Sequence, residues 1–327
     1  MRRTLLLALV FAGLAGVVAV TLRLLTAPLP PPGAMLVVRE GDTFATVAAR
    51  LERAGVIRSA ILFRLRARVA GRDRHLQPGE YRFAEPLDTH ELLELLASGG
   101  PHREVTIPEG FTVRDVAALL ERDGYGSGES FLCVAKDPEF LLAAGVPGPQ
   151  LEGFLFPDTY RLTPLMSPSE ILALMVRRFH DRFDAERYRR AAARGMTVNE
   201  VLTLASIVEK ESALATERQV IAGVFYNRLH LGMPLQSDPT VIYAIPNFNG
   251  DLTRADLVRP SAYNTYMVAG LPPGPIANPG LAAIDAVLAP AETPYLYFVS
   301  KNDGSHVFAA TLPEHNRNVG RYQKAHR

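Results

Sequence analysis

The sequence predicts an α+β chain with a membrane-spanning segment at its N-terminus, and three observations predict it. Thr197 to Leu214 reads T-V-N-E-V-L-T-L-A-S-I-V-E-K-E-S-A-L, an apolar helix opened by Thr197 and Glu200 as a capping box. Residues 40–55 recur at 109–124, each copy behind a β-like run and ending in a closing Gly. Near the C-terminus, P-Y-L-Y-F-V, the turn N-D-G and H-V-F-A read as a β-hairpin.

Taken in order, Arg2 and Arg3 precede an uncharged run from Thr4 to Leu22, closed by Arg23. A helix of that length is roughly 28 Å long, close to the hydrocarbon thickness of a bilayer. It exceeds the usual apolar region of a signal peptide, and no A-x-A-like cleavage site follows. The expectation is an uncleaved single-pass anchor in residues 1–26, with the N-terminus in the cytoplasm and the remainder outside the inner (cytoplasmic) membrane. Residues 27–34, which carry the run P-L-P-P-P-G, read as a stiff extended spacer.

The repeat follows. E-G-D-T-F-A-T-V-A-A-R-L-E-R-A-G and E-G-F-T-V-R-D-V-A-A-L-L-E-R-D-G share ten of sixteen positions without a gap. Thr43 and Thr112 are placed as N-caps, and Gly55 and Gly124 as helix stops. A second echo, Tyr81-Arg82 ahead of Glu91 and Tyr160-Arg161 ahead of Glu170, extends the duplication. The expected units are an α+β subdomain at 35–102 and a second repeat unit with its connection at 103–165. A C-terminal mixed α/β domain is expected at 166–327.

The helix from Thr197 carries two carboxylates near its end. At about 100° per residue, Glu211 falls on the stripe of Leu204, Ile207 and Val208, while Glu209 falls among Ala205, Ser206 and Ser212. A carboxyl held against aliphatic side chains is less hydrated when charged, so its pKa rises, as a general acid requires. Glu209, on the other face, is expected to pair with a donor and hold the helix end.

Beyond it, a helix is expected over Glu217–Leu231 with Val220, Val224 and Leu231 packed on the first, and Asn227-Arg228 reaching the site. Gln236, Asp238 and Thr240 in M-P-L-Q-S-D-P-T-V-I-Y, with Tyr263, Asn264 and Tyr266 in A-Y-N-T-Y, supply the donors, acceptors and rings that sugar recognition needs. G-L-P-P-G-P-I-A-N-P-G is too rich in proline for helix or central strand, with Asn278 expected to cap a helix from Pro279. A polar helix over Leu312–Ala325 ends the chain.

Composition excludes several classes. Thirty-five basic against thirty-four acidic residues give +1, and no basic cluster with interleaved aromatics supports nucleic-acid binding. Cys133 is alone and the eight histidines show no H-E-x-x-H spacing, so neither a metal nor another cofactor is expected. S-x-x-K and G-x-S-x-G are both absent, which argues against transpeptidase-type and serine-hydrolase chemistry.

L-A-S-I-V-E-K-E-S, V-F-Y-N-R-L, M-P-L-Q-S-D-P-T-V-I-Y, A-Y-N-T-Y, G-L-P-P-G-P-I-A-N-P-G and T-P-Y-L-Y-F-V, in that order, resemble the endolytic murein transglycosylases (the MltG, or YceG-like, family). V-V-R-E-G-D-T-F-A-T-V-A-A-R-L further resembles the opening of a LysM module, which binds N-acetylglucosamine-containing glycans; the second copy has Phe111 in place of Asp42. The resemblance implies a single-pass inner-membrane protein with a LysM-like subdomain and a lysozyme-like catalytic domain. Peptidoglycan glycan strands are its implied substrate, with peptidoglycan synthases as candidate partners. It implies that Glu211, with Ser212 beside it, is the catalytic acid/base. The implied reaction cleaves between N-acetylmuramic acid and N-acetylglucosamine and leaves a 1,6-anhydro end. Asp238 is the residue a hydrolase would use as second carboxylate. A non-catalytic, membrane-anchored glycan-binding scaffold is the alternative.

Overall fold

Gly41 at φ +85° and Gly110 at φ +76° turn the chain from strand to helix in each copy of the repeat, a conformation that a Cβ disfavours. The computed structural model of the chain describes residues 35–73, 75–83, 87–98, 103–163 and 166–323, with Gly16 as a single further residue. The anchor expected in 1–26 and the spacer 27–34 otherwise lie outside the described residues. Among the described residues no helix is long and apolar enough to cross a membrane. The chain divides into two compact units, residues 1–104 with 161–166, and residues 105–160 with 167–327.

In the first unit, β1 (Met35–Val38) leads to α1 (Phe44–Arg53), followed by α2 (Ala60–Val69), β2 (Gly79–Arg82) and α3 (Thr89–Ser98). Thr43 caps α1 by accepting the Thr46 N–H, and Gly55 at φ +71° follows it. β1 and β2 are antiparallel, with Leu36 opposite Tyr81. Leu36, Val38 and Tyr81 bury one face of that ribbon against Val47, Leu51, Phe63, Leu92 and Leu96, the alternation expected of a half-buried strand. Asp42 and Arg50 close the turn with two hydrogen bonds of 2.6 and 3.1 Å.

The second copy repeats the pattern. β3 (Arg103–Thr106) leads to α4 (Val113–Arg122), then α5 (Gly128–Val134), α6 (Pro138–Ala143), β4 (Thr159–Leu162) and α7 (Pro168–Arg182). Thr112 and Asp115 make a full capping box, and Gly124 at φ +86° ends α4. β3 and β4 form a two-stranded sheet, and the unit boundaries fall within those strands. The tyrosine echo is structural too: Tyr81 and Tyr160 each donate their hydroxyl to the carbonyl four residues back, of Gln77 and Phe156. Where the first copy has the Asp42–Arg50 ion pair, the second has the apolar residues Phe111 and Leu119.

The second unit continues with α8 (Ala185–Ala193) and α9 (Val198–Glu211). A 3₁₀ turn (Ala215–Glu217) then leads to α10 (Arg218–His230), α11 (Asp238–Ala244), α12 (Arg254–Leu257) and α13 (Leu281–Leu288). The hairpin β5 (Tyr297–Ser300) and β6 (His306–Ala309), antiparallel with Phe298 opposite Phe308, precedes α14 (Leu312–Tyr322). Every residue of α9 from Val201 to Val208 is buried, so the helix is enclosed on all sides. α13, α10, α8 and α11 surround it. Gly223 lets α10 come close to the segment after α13: a Cβ there would stand 2.4 Å from the Ala291 carbonyl.

Three sequence expectations fail locally. Leu231 does not pack on α9; as the C-cap of α10 it is 63% exposed, and Ile221, Val224 and Phe225 take the buried face. Asn278 does not cap a helix from Pro279, since α13 begins at Leu281 behind Gly280. Its fully buried amide instead accepts from Leu155 N–H and donates to the Phe111 carbonyl. The last helix stops at Tyr322, before Ala325.

Candidate active site

α9 delivers Glu211 as its last residue. Thr197 and Glu200 fix the start of the helix, each satisfying the other's backbone N–H. Ser212 ends it, its N–H and its hydroxyl both donating to the Val208 carbonyl. Glu211 thereby emerges, three residues past the buried stretch Val201–Val208, into a cleft of about 390 Å³. Arg228, Gln236, Asp238, Tyr266 and His306 line that cleft with it, together with Leu235, His315 and the β5 residues Phe298–Ser300.

Burial pushes the Glu211 carboxyl up to about 7, and the neighbouring Asp238 charge acts in the same direction. The Ser237 hydroxyl, donating to Oε1 across 2.5 Å, pulls it down, as do the His306 and Arg228 side chains. Tyr266 donates its hydroxyl to Asp238 Oδ1 at 2.6 Å. Arg228 is almost wholly buried and donates to the carbonyls of Leu296, Pro234 and Leu235, fixing both the entry to β5 and the loop before α11. In that loop Gln236 stands at φ +50°, unusual for a residue with a side chain. Gln236 N–H donates to the Thr265 carbonyl, and Ser237 N–H to the Thr265 hydroxyl, so the strained conformation is held from both sides.

The expected site residues sort into two groups. Glu211, Gln236, Asp238 and Tyr266 come together in the cleft. The others support it or lie elsewhere, because their polar atoms are already used by the protein. Glu209 ion-pairs with Arg218 at 3.1 Å and accepts the Gly280 N–H at 3.0 Å, its side chain 7% exposed. Asn227 donates to the carbonyls of Thr293 and Tyr295. Thr240 bonds the Ser237 carbonyl and the Thr265 hydroxyl. Asn264 donates to the carbonyls of Leu257 and Arg259. Tyr263 lies against Tyr243, ring centres 5.0 Å apart, and Tyr243 donates to the buried Glu152, whose carboxyl burial also raises to about 7.

Sequence reasoning missed the cleft's imidazoles. Glu217, in the turn before α10, accepts from both the backbone N–H (3.0 Å) and Nδ1 (2.7 Å) of His306. That places the ring proton on Nδ1 and fixes the ring's orientation. His315 stacks on Tyr297, ring centres 5.2 Å apart, and its buried Nδ1 has no hydrogen-bond partner. Burial holds its pKa below the usual imidazole range, with Arg228 adding to the effect. The only local signal for either was a histidine beginning one strand and another in a polar helix. Among the described residues no group of three or more His, Cys, Asp or Glu is placed to hold a metal.

A carboxyl held near neutrality in a cleft sided by amide, tyrosine and imidazole groups has what general acid/base chemistry requires. The chain belongs to the YceG-like family, whose sequence profile matches residues 36–321. It is 33% identical over 300 residues to a Bacillus subtilis protein named endolytic murein transglycosylase, covering 86% of this chain and 82% of that one. A Streptococcus pneumoniae protein of the same name is 32% identical over 316 residues; the match covers 86% of this chain and 57% of the relative. The crystal structure of a yceG-like protein from Listeria monocytogenes matches with a TM-score of 0.61 and 31% identity, over 87% of this chain and 98% of that one.

Proposed function

We propose that this chain is an endolytic lytic transglycosylase of peptidoglycan, with Glu211 as its general acid/base. The observation that carries the reading is the Glu211 carboxyl, raised to about 7 by burial and hydrogen-bonded to Ser237 in an open cleft. The names of the relatives supply the substrate. In the proposed reaction the protonated Glu211 gives its proton to the glycosidic oxygen as the bond from the muramyl C1 breaks. The resulting carboxylate takes the proton of the muramyl 6-hydroxyl, whose oxygen closes on C1. The products are a 1,6-anhydro end and a free 4-hydroxyl, Glu211 regains its proton, and no water is consumed. Gln236, Tyr266 and His306 line the same cleft, and in this proposal they bind sugar hydroxyl and acetamide groups.

The anchor belongs to the same proposal. The uncharged run 4–22 between arginines attaches the chain to the inner membrane, with the described units outside the cytoplasm. The first unit serves as a LysM-like glycan-holding module, supported by the V-V-R-E-G-D-T sequence and the ion-paired turn at Asp42 and Arg50.

Asp238 gives a second reading some ground, since it lines the same cleft and could act as the second carboxylate of a hydrolase. Digestion of purified peptidoglycan in ¹⁸O-labelled water separates the two. A transglycosylase yields unlabelled anhydro-muropeptides, one water lighter than the hydrolysed species. A hydrolase yields labelled reducing ends, and a glycan-binding scaffold yields neither; either of these results contradicts the proposal.

A further inference from the structure

α2 turns an apolar stripe to solvent. Ile61, Leu65 and Val69 are 76%, 54% and 82% exposed. Spaced by four, they lie within about 80° of one another around the helix and extend about 12 Å along it. Phe63 and Ala67, on the opposite side, are buried in the core of the first unit, so the stripe is the outward face of a well-anchored helix. Single exposed aliphatics are ordinary on protein surfaces, whereas three in register make a continuous face.

Arginines bracket the stripe. Arg64 and Arg68 border it on one side and Arg66 on the other, all three exposed. Arg68 approaches Asp73 only to 3.9 Å and its side chain stays 81% exposed. The edge with Arg64 and Arg68 opens on a groove of about 370 Å³ that also includes Phe44 and Asp73. Aliphatic side chains flanked by guanidinium groups match an anionic lipid surface, where the former enter the acyl boundary and the latter meet phosphates. The stripe itself carries no ring or amide with which to hold a sugar.

The length of chain ahead of β1 favours the same partner. Only residues 23–34 separate the uncharged run from Met35. Fully extended they span about 40 Å, so a first unit tethered in this way stays beside the bilayer. This step rests on the anchor reading given above.

We infer that α2 docks on the anionic membrane surface that the chain is tethered to, through Ile61, Leu65 and Val69 with Arg64, Arg66 and Arg68 around them. The tether then sets only a maximum distance, while α2 fixes which face of the first unit meets lipid.

The chain contains no tryptophan, so Leu65→Trp gives a single emitter on the face in question. The full chain carrying L65W is reconstituted into phosphatidylcholine vesicles containing phosphatidylglycerol, with and without brominated acyl chains, and tested for flotation and emission. The expected result is flotation with blue-shifted emission that brominated lipid quenches. Most of that quenching is lost in vesicles without phosphatidylglycerol and in the background Arg64→Glu with Arg68→Glu. A chain that floats with unquenched, water-like emission overturns the docking and leaves the anchor standing. A chain that does not float overturns both. An emission that responds to added soluble glycan strands and not to lipid makes the face a glycan surface and overturns the inference as well.

Discussion

Ser237 donates its hydroxyl to Glu211 Oε1 at 2.5 Å and leaves its own helix without a side-chain cap. It occupies the N-cap of α11, where a serine ordinarily accepts a backbone N–H from the first turn. The hydroxyl is turned to the carboxyl instead, so helix stability at this position is given up to an interaction with the reacting group. The next residue, Asp238, acts on the same carboxyl in the opposite sense.

That opposition is measurable. A donor to the carboxylate favours its charged form, so Ser237→Ala should raise the Glu211 pKa and move the alkaline limb of the activity profile to higher pH. Asp238→Asn removes a neighbouring negative charge and should move the same limb to lower pH, with anhydro products still formed. Each shift is expected to be about half a unit to one unit. Profiles of kcat/KM against pH for both variants check the pair of signs.

Glu211 and Glu152 also make stability depend on pH. Both carboxyls are raised to about 7 in the folded chain, above the usual glutamate range. Between about pH 4.3 and 7 the folded protein therefore keeps protons that the unfolded chain has released, and stability falls as pH rises. Glu211→Gln cannot lose a proton, so at pH 8 it should be more stable than wild type by about 1–3 kcal/mol. The advantage should vanish near pH 4, as equilibrium denaturation at the two pH values will show.

The proposed site gives Glu217 a positioning role through its two hydrogen bonds with His306. In Glu217→Gln one amide oxygen can still accept the His306 backbone N–H, but the NH₂ group cannot accept from Nδ1. The imidazole is then free to change tautomer and orientation, and kcat should fall about tenfold, since small misplacements in a site are costly. KM and the midpoint of thermal unfolding should change little. A large loss of stability with normal kcat would make the pair purely structural.

Where the sequence was legible, the determinants were local. Thr197 and Glu200 lie three residues apart, and the helix they open runs to Glu211 as its apolar pattern requires. The repeat was legible because caps and stop glycines are short-range signals, and the structure adds the shared tyrosine hydrogen bond. The cleft was legible only in part. Glu217 and His306 are far apart in sequence, and neither stands in a pattern that points to the other. The bond from Ser237 to Glu211 was not legible either, since residue type alone does not say which acceptor a hydroxyl chooses. Asn227 and Asn264 read as sugar-binding amides. The loop carbonyls they bond come from connections without periodicity, where sequence gives no register.

The central claim is that of two carboxylates two residues apart, one does chemistry and the other holds the helix. Glu209 is paired with Arg218 and the Gly280 N–H, while Glu211 faces the cleft. The most direct measurement is release of anhydro-muropeptides from purified peptidoglycan by wild type, Glu211→Gln and Glu209→Gln, each verified as folded by circular dichroism. Glu211→Gln should lose about 10²-fold or more, because an amide cannot give and recover the proton. Glu209→Gln should keep most of the chemistry and lose stability by about 1–3 kcal/mol as Arg218 loses its nearer carboxylate and keeps only Glu109, at 3.7 Å. Near wild-type product from folded Glu211→Gln, with folded Glu209→Gln inactive, would contradict the account.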